Sequence, residues 1–254
     1  MARLDNAVTV VTGAGGGVGR QAALRLSAEG SRVGLTDLDA SSLEETAALV
    51  REAGGEAIAV AGDIVSEQTS DTLTTQLIDV YGKVDGLVNN AGIAFSKPLL
   101  EHTVEDFDKV IHINTLSCLV TAKRVVPEMV KAGGGSVVNV SSIGALAALP
   151  NIGIYCASKA AVLGLTRSLA MEYAPHNVRA NILCPGLVDT QMAAEHQKSF
   201  PTPQDAIDAL AGRQMLKRYA QPQEIAEVIV FLISKEASFM TGATVPVEAG
   251  WTAW

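Results

Sequence analysis

Tyr155 and Lys159 stand four residues apart in a stretch with helical patterning, so both side chains lie on one face of a helix. A phenol titrates near ~10, and making it a working acid or base at neutral pH takes roughly 3 pH units, or about 4 kcal/mol. An ammonium at ~4 Å in an effective dielectric of ~20 supplies about that much. The pair is therefore suited to moving a proton to or from a hydroxyl. Such a pair is also a common helix-surface contact. Here it follows a strand-like run and the Ser141-Ser142 turn, which argues for the mouth of a crevice.

A second chemical signal lies near the start. An apolar run ending at Val11 enters Thr12-Gly13-Ala14-Gly15-Gly16-Gly17-Val18-Gly19 and then a helix. Gly13 permits a tight turn, Gly17 permits close approach to a pyrophosphate, and Gly19 permits close helix–strand packing. The helix start offers N–H groups and a positive dipole end to phosphates. A glycine-rich loop alone is weak evidence; its position after a first strand, with Asp37 closing the second, makes it a dinucleotide site. Asp37 can accept hydrogen bonds from an adenosine ribose and would repel a 2′-phosphate. Gly15, Gly16 and Leu38 offer no cation to such a phosphate, so NAD is expected over NADP.

These residues need a frame. Short β-branched runs at 7–11, 32–36, 57–61, 86–89, 136–140, 179–183 and 244–247 alternate with helical patterns at 17–29, 43–53, 67–81, 104–132, 154–173 and 222–235. The runs are almost wholly apolar, as strands buried on both faces are. The rhythm predicts one α/β domain over 1–254: a doubly wound parallel sheet with helices on both faces and right-handed crossovers. The polar stretch 189–217, with Pro201 and Pro203, breaks the rhythm after the sixth run. It is expected as a lid over the crevice at the strands' carboxyl ends.

The 254 residues are 48% hydrophobic and 18% charged, enough apolar material for a large core. Nineteen basic against 27 acidic side chains leave a net charge of −8, which disfavours nucleic acid and anionic membranes as partners. Cys118, Cys156 and Cys184 are too few and too scattered for a disulfide framework or a zinc site. His102, His112, His176 and His196 show no metal-like clustering, and no metal is expected. No apolar run is long enough to cross a bilayer and no signal-peptide pattern leads the chain, so a cytoplasmic protein is expected.

Taken together, the glycine-rich turn, Asp63-Ile64, Asn89-Asn90-Ala91-Gly92, Asn114, Ser142, Tyr155-Cys156-Ala157-Ser158-Lys159 and Pro185-Gly186 resemble the short-chain dehydrogenase/reductase family from end to end. The resemblance implies a seven-stranded parallel sheet of Rossmann type, usually in a tetramer. It implies Tyr155 as general acid/base, Lys159 lowering its pKa and binding the nicotinamide ribose, and Ser142 rather than Ser141 on the substrate oxygen. Asn114 would hold a relay water; without the resemblance it reads as a polar residue satisfied inside a helix. Asp63 and Ile64 would flank the adenine, Asn90 would brace the sheet, and Ala91-Gly92 would line the adenosine. Pro185-Gly186 with Val188 and Thr190 would hold the nicotinamide. The family often ends its last strand in Val-Asp-Gly-Gly; this chain has Val247-Glu248-Ala249-Gly250, then Trp251-Thr252-Ala253-Trp254. This departure leaves the packing of the tail open.

The expected function is hydride transfer between NAD(H) and a small-molecule secondary alcohol or ketone. The alternatives weighed are a non-catalytic dinucleotide sensor or scaffold, which needs none of Asn114, Ser142, Tyr155 and Lys159, and an extended-type epimerase or dehydratase, which the short chain disfavours. Ile143, Leu146, Leu149, Ile152, Leu187 and Met192 are candidate pocket walls, with no Arg or Lys among their neighbours to clamp an anion, so an apolar or ring-bearing substrate is expected. Surplus apolar residues such as Leu163, Leu165, Leu169, Leu116, Leu119 and Val120 on helices 104–132 and 154–173 point to a homo-oligomer, a tetramer by resemblance.

Overall fold

The computed structural model describes residues 2–253; Trp254 and Met1 lie outside the described residues. Seven strands alternate with helices: β1 (Val8–Thr12), α1 (Gly17–Ala28), β2 (Arg32–Asp37), α2 (Ala40–Glu52), β3 (Ala57–Ala61), α3 (Glu67–Tyr81) and β4 (Gly86–Asn89) come first. Then follow α4 (Val104–Ile111), α5 (Ser117–Lys131), β5 (Gly135–Val140), α6 (Gly153–Tyr173), β6 (Val178–Pro185), α7 (Gln191–Gln197), α8 (Pro203–Ala209), α9 (Pro222–Ile233) and β7 (Thr244–Val247). Every pairing is parallel, in the order β3-β2-β1-β4-β5-β6-β7. The order reverses between β1 and β4, and a ligand crevice is expected at the carboxyl ends there.

Both faces of the sheet are covered, which is why the strands read as unbroken apolar runs. One core joins Val11, Leu35, Val138 and Leu183 to Leu26 of α1, Val50 of α2 and Ile229 of α9. The other joins Val10, Leu87 and Val137 to Leu77 of α3, Met129 of α5 and Ala170 of α6. A third, smaller cluster sits above the carboxyl ends: Ile143, Leu149, Ile152, Leu187, Leu210 and Trp251.

Three local features differ from expectation. The single helix expected over 104–132 is divided by a π turn at His112–Leu116, between α4 and α5. Such turns insert one extra residue and frequently mark functional sites. The stretch 189–217 is less irregular than its composition implied. Thr190 and Thr202 cap the short helices α7 and α8, and Leu210 and Ala211 are buried. Of the apolar residues expected to face a partner, Leu163 and Val120 are buried, and only Leu119 is clearly exposed. Leu116, Leu165 and Leu169 are half-buried. Other exposed apolar residues include Leu100, Val104, Phe107 and Met171.

After β7 the chain turns through Ala249 at φ +57, a left-handed conformation that costs an alanine about 1–2 kcal/mol. The turn is held from both sides. The Ala249 carbonyl accepts from Met215 N at 2.7 Å, and the nearly buried Glu248 carboxylate accepts from Thr252 N at 3.1 Å. This anchors the tail as far as Ala253, with Trp251 packed in the third cluster.

Candidate active site

α6 enters from the loop after β5 and carries Tyr155, Ser158 and Lys159 on its inner side. Lys159 is buried; its Nζ donates to the Val140 carbonyl at 2.9 Å and lies 5.8 Å from the centre of the Tyr155 ring. Ser141 donates to the Lys159 carbonyl at 2.8 Å, which commits its hydroxyl to holding α6. Ser142 Oγ accepts from Gly144 N at 3.0 Å and stands close enough to the Tyr155 phenol to lower its pKa. The structure thus separates the two serines: one positions the helix and the other faces the tyrosine.

Asn114 sits in the π turn, fully buried. Its Oδ1 accepts from Ile93 N at 2.7 Å, and its Nδ2 donates to the Ile93 carbonyl and to Ser158 Oγ, both at 2.9 Å. Ser158 in turn donates to the Tyr155 carbonyl at 2.7 Å. Both ends of the side chain are thus engaged by protein, clamping the loop after β4 to α6.

The electrostatics differ from the simple pair argument. Burial pushes the Tyr155 phenol up to about 12, with the Ser142 hydroxyl pulling the other way. Burial also pushes the Lys159 ammonium below its usual range. Lys159 does not bring the phenol down in this arrangement, because its Nζ is turned to the Val140 carbonyl and loss of water disfavours charge on both groups. At pH 7 the phenol is neutral, and neutral is the form that can donate a proton.

One cavity of about 350 Å³ joins these groups to the glycine-rich turn. Gly13, Gly16, Gly17, Val18, Asp37, Asn90, Ala91 and Gly92 line one side; Tyr155, Lys159, Ser142, Pro185, Gly186, Val188 and Thr190 line the rest. Gly15, Gly19, Leu38, Asp63 and Ile64 lie outside this lining. Gly19 packs under the turn, where a Cβ would run into the Gly13 carbonyl; Gly13 itself sits at φ +64 with its would-be Cβ 2.8 Å from Ala91. Leu38 is 77% exposed at the rim. Asp63 and Ile64 follow β3 beside Asp37, whose carbonyl accepts from Gly62 N at 2.9 Å. Asn90 Nδ2 donates to the carbonyls of Thr12 and Gly13, both at 3.1 Å, and so fixes the turn.

The residues suit a dinucleotide on physical grounds. α1 begins at Gly17 with no side-chain cap, leaving its first N–H groups for an anion. Gly16 has no atom within 4 Å of where a Cβ would be. The Asp37 carboxylate is fixed by Gly15 N at 2.8 Å and Asp39 N at 3.1 Å, with acceptor capacity left for two hydroxyls.

The comparisons agree with this geometry. A family model described as enoyl-(acyl carrier protein) reductase matches residues 13–252. The chain is 34% identical to levodione reductase of Leifsonia aquatica, over 99% of this chain and 96% of that one. It is 36% identical to meso-2,3-butanediol dehydrogenase of Serratia marcescens, again over 99% and 96%. A crystal structure of carveol dehydrogenase from Mycobacterium avium in complex with NAD superposes with a TM-score of 0.94 at 28% identity, covering 100% of both chains. The chain belongs to the short-chain dehydrogenase/reductase family. It is an oxidoreductase on a seven-stranded parallel Rossmann-type sheet, in a family whose cofactor is a nicotinamide dinucleotide.

The sequence reading missed two residues of this family member. Arg20, one turn into α1, brings a cation to the Asp37 corner. Its Nη2 donates to the Gly15 carbonyl at 2.6 Å and to Glu45 at 2.7 Å, and its Nε donates to Thr46 Oγ1 at 3.0 Å. A cation is near after all, but these acceptors already hold it. His196, which shows no metal-like clustering in the sequence, is buried in α7 and lines the cavity with Met192 and Ala193, four and three residues before it. The only available signal was that spacing after Thr190. Among the described residues no group of acids, histidines or cysteines could hold a metal, and no helix is long and apolar enough to cross a membrane.

Proposed function

We propose that this enzyme interconverts a secondary alcohol and a ketone with NAD, Tyr155 carrying the hydroxyl proton. The observation that carries the proposal is a single cavity shared by the Tyr155–Ser142 pair, Lys159 and the turn that ends at Asp37. When bound, the nicotinamide ring supplies or accepts the hydride at the substrate carbon. Gly13 to Val18, Asn90 to Gly92, Pro185, Gly186, Val188 and Thr190 would hold the dinucleotide, with Asp63 and Ile64 beside its adenine. In reduction, Ser142 orients the ketone oxygen and the neutral Tyr155 phenol donates its proton to it. In oxidation, Tyr155 must first lose that proton and then take the alcohol's. Lys159 would favour the phenolate only once its Nζ has left the Val140 carbonyl for the nicotinamide ribose hydroxyls, and Asn114 keeps Ser158 and the start of α6 in place.

NAD is preferred because Asp37 accepts from ribose hydroxyls and repels a 2′-phosphate, while Arg20 is neutralised by Glu45. The substrate is apolar or ring-bearing: Ile143, Leu149, Ile152, Leu187 and Met192 line the substrate side, where no Lys or Arg occurs. The relatives named for cyclic or vicinal alcohols and ketones support that reading. The stretch 189–217 serves as the lid. The exposed Leu100, Val104, Phe107, Leu119 and Met171 support self-association into a tetramer. The testing experiment is to follow reduced-nicotinamide absorbance with a panel of alcohols and ketones in both directions, with NAD and NADP. Absence of any change across the panel would defeat the reading.

A further inference from the structure

We propose that His196 is a specificity-determining residue whose Nδ1 accepts a hydrogen bond from a second hydroxyl on the substrate. The favoured substrates are then diols and hydroxyketones rather than simple alcohols and ketones. This rests on the alcohol–ketone reading above.

His196 lies on the face of α7 turned to the cavity that also holds Ser142 and Tyr155. Ile143, Leu149, Ile152 and Leu187 line the same cavity, and the polar side chains that share it with His196 are few: Ser142, Tyr155, Lys159, Thr190 and Gln191 among them. A binding site of this kind takes its shape from apolar walls and its discrimination from a few placed polar groups.

The hydrogen bonding decides which nitrogen does what. His196 Nε2 lies 3.0 Å from the Pro150 carbonyl oxygen. A carbonyl can only accept, so Nε2 bears the hydrogen. A neutral imidazole carries one N–H, which leaves Nδ1 as a bare acceptor. Burial holds this ring below the usual imidazole range, so the neutral form prevails at pH 7. Among the described residues no protein donor meets Nδ1, and the atom is not one of those sealed in the interior without a partner. It is the open side of the ring, and the ring borders the cavity.

The consequence is a penalty on purely apolar substrates. An alkyl group pressed against Nδ1 strips water from the lone pair and returns nothing; a hydroxyl returns the bond. A competing role also exists. The Nε2 contact latches α7 to the loop at Pro150, beside the weaker Asn151 Nδ2 contact to the Ser199 carbonyl at 3.4 Å. The two roles differ in what their loss does. Breaking a latch weakens every substrate alike, whereas removing an acceptor weakens only those that bring a hydroxyl to it.

The test is kcat/KM for cyclohexanone and for the positional isomers of hydroxycyclohexanone with NADH. In the wild-type protein the best hydroxylated isomer should exceed cyclohexanone by about tenfold, the factor worth one satisfied hydrogen bond over an orphaned acceptor. His196→Phe should bring that ratio close to one, whatever it does to the absolute rates. His196→Gln, whose amide oxygen can accept, should keep part of it. A wild-type ratio at or below one for every isomer needs no variant and overturns the proposal. So does an unchanged ratio in His196→Phe, which would leave the latch as the residue's only role. If no ketone in the series is reduced, the alcohol–ketone reading fails, and this proposal with it.

Discussion

Around Gly13 to Val18 and Asp37 the cavity wall is largely main chain. Its shape is set by left-handed glycines, by Asn90 on two carbonyls and by Gly15 N on a carboxylate. Around Ile143 to Ile152 and Gln191 to His196 the wall is side chains on a loop and a seven-residue helix. Backbone-defined surfaces tolerate few residue types, so they leave a readable mark in sequence. Surfaces of apolar side chains accept many substitutions of similar volume and leave almost none. The first region can bind one kind of cofactor; the second is free to differ in substrate.

Lys159 joins the two regions and should give the largest effect. Lys159→Ala should lower kcat by at least about a hundredfold, the lower end for losing acid–base assistance, and should also weaken NAD binding. Kinetics paired with titration calorimetry check both. A loss in kcat with NAD affinity intact would confine Lys159 to the substrate side.

Asp37 tests the backbone-built half alone. Each added charge pair at ~4 Å with a dielectric near ~20 costs about 4 kcal/mol before salt and rearrangement reduce it. About 3 kcal/mol surviving gives roughly a hundredfold preference for NAD. Asp37→Ala should narrow it by at least tenfold without producing efficient NADP use, because Arg20 stays with Glu45, Gly15 and Thr46. The ratio of kcat/KM for the two cofactors decides this; an unchanged ratio would make Asp37 a turn residue only.

The pH dependence sharpens the chemistry at the junction. The Tyr155 phenol, held up to about 12, is protonated throughout the neutral range. Reduction, which uses the acid form, should be flat in pH there. Oxidation, which uses the base form, should rise with pH, up to about tenfold per unit. Profiles of kcat/KM in both directions check the sign; oxidation falling as pH rises would contradict it.

The smallest effect concerns the tail. Ala249→Gly relieves the left-handed strain at φ +57 but adds unfolded-chain entropy, for a net gain of about 1 kcal/mol. Urea unfolding measures it, and a loss of stability would mean that the methyl group packs usefully.

The sheet was legible because strands buried on both faces must be apolar, and each of the seven runs overlaps an observed strand, the first starting one residue early at Ala7. Tyr155 and Lys159 were legible through helical spacing, and Asp37 through its place at a strand end. The π turn at His112–Leu116 was not, since one extra residue in a helix barely disturbs its apolar pattern. α7 and α8 were too short for a 3.6-residue period to repeat. The partners of Lys159, Arg20 and His196 are Val140, Glu45 and Pro150, at separations of 19, 25 and 46 residues. Such contacts are made by the fold and carry no local signal.

The central claim is that the buried Tyr155 phenol moves the proton. Tyr155→Phe removes one oxygen from a ring whose packing is otherwise kept. Measured side by side, kcat should fall by about a hundredfold or more, while NAD affinity by calorimetry stays close to that of the wild type. Wild-type-like turnover in Tyr155→Phe would contradict the account.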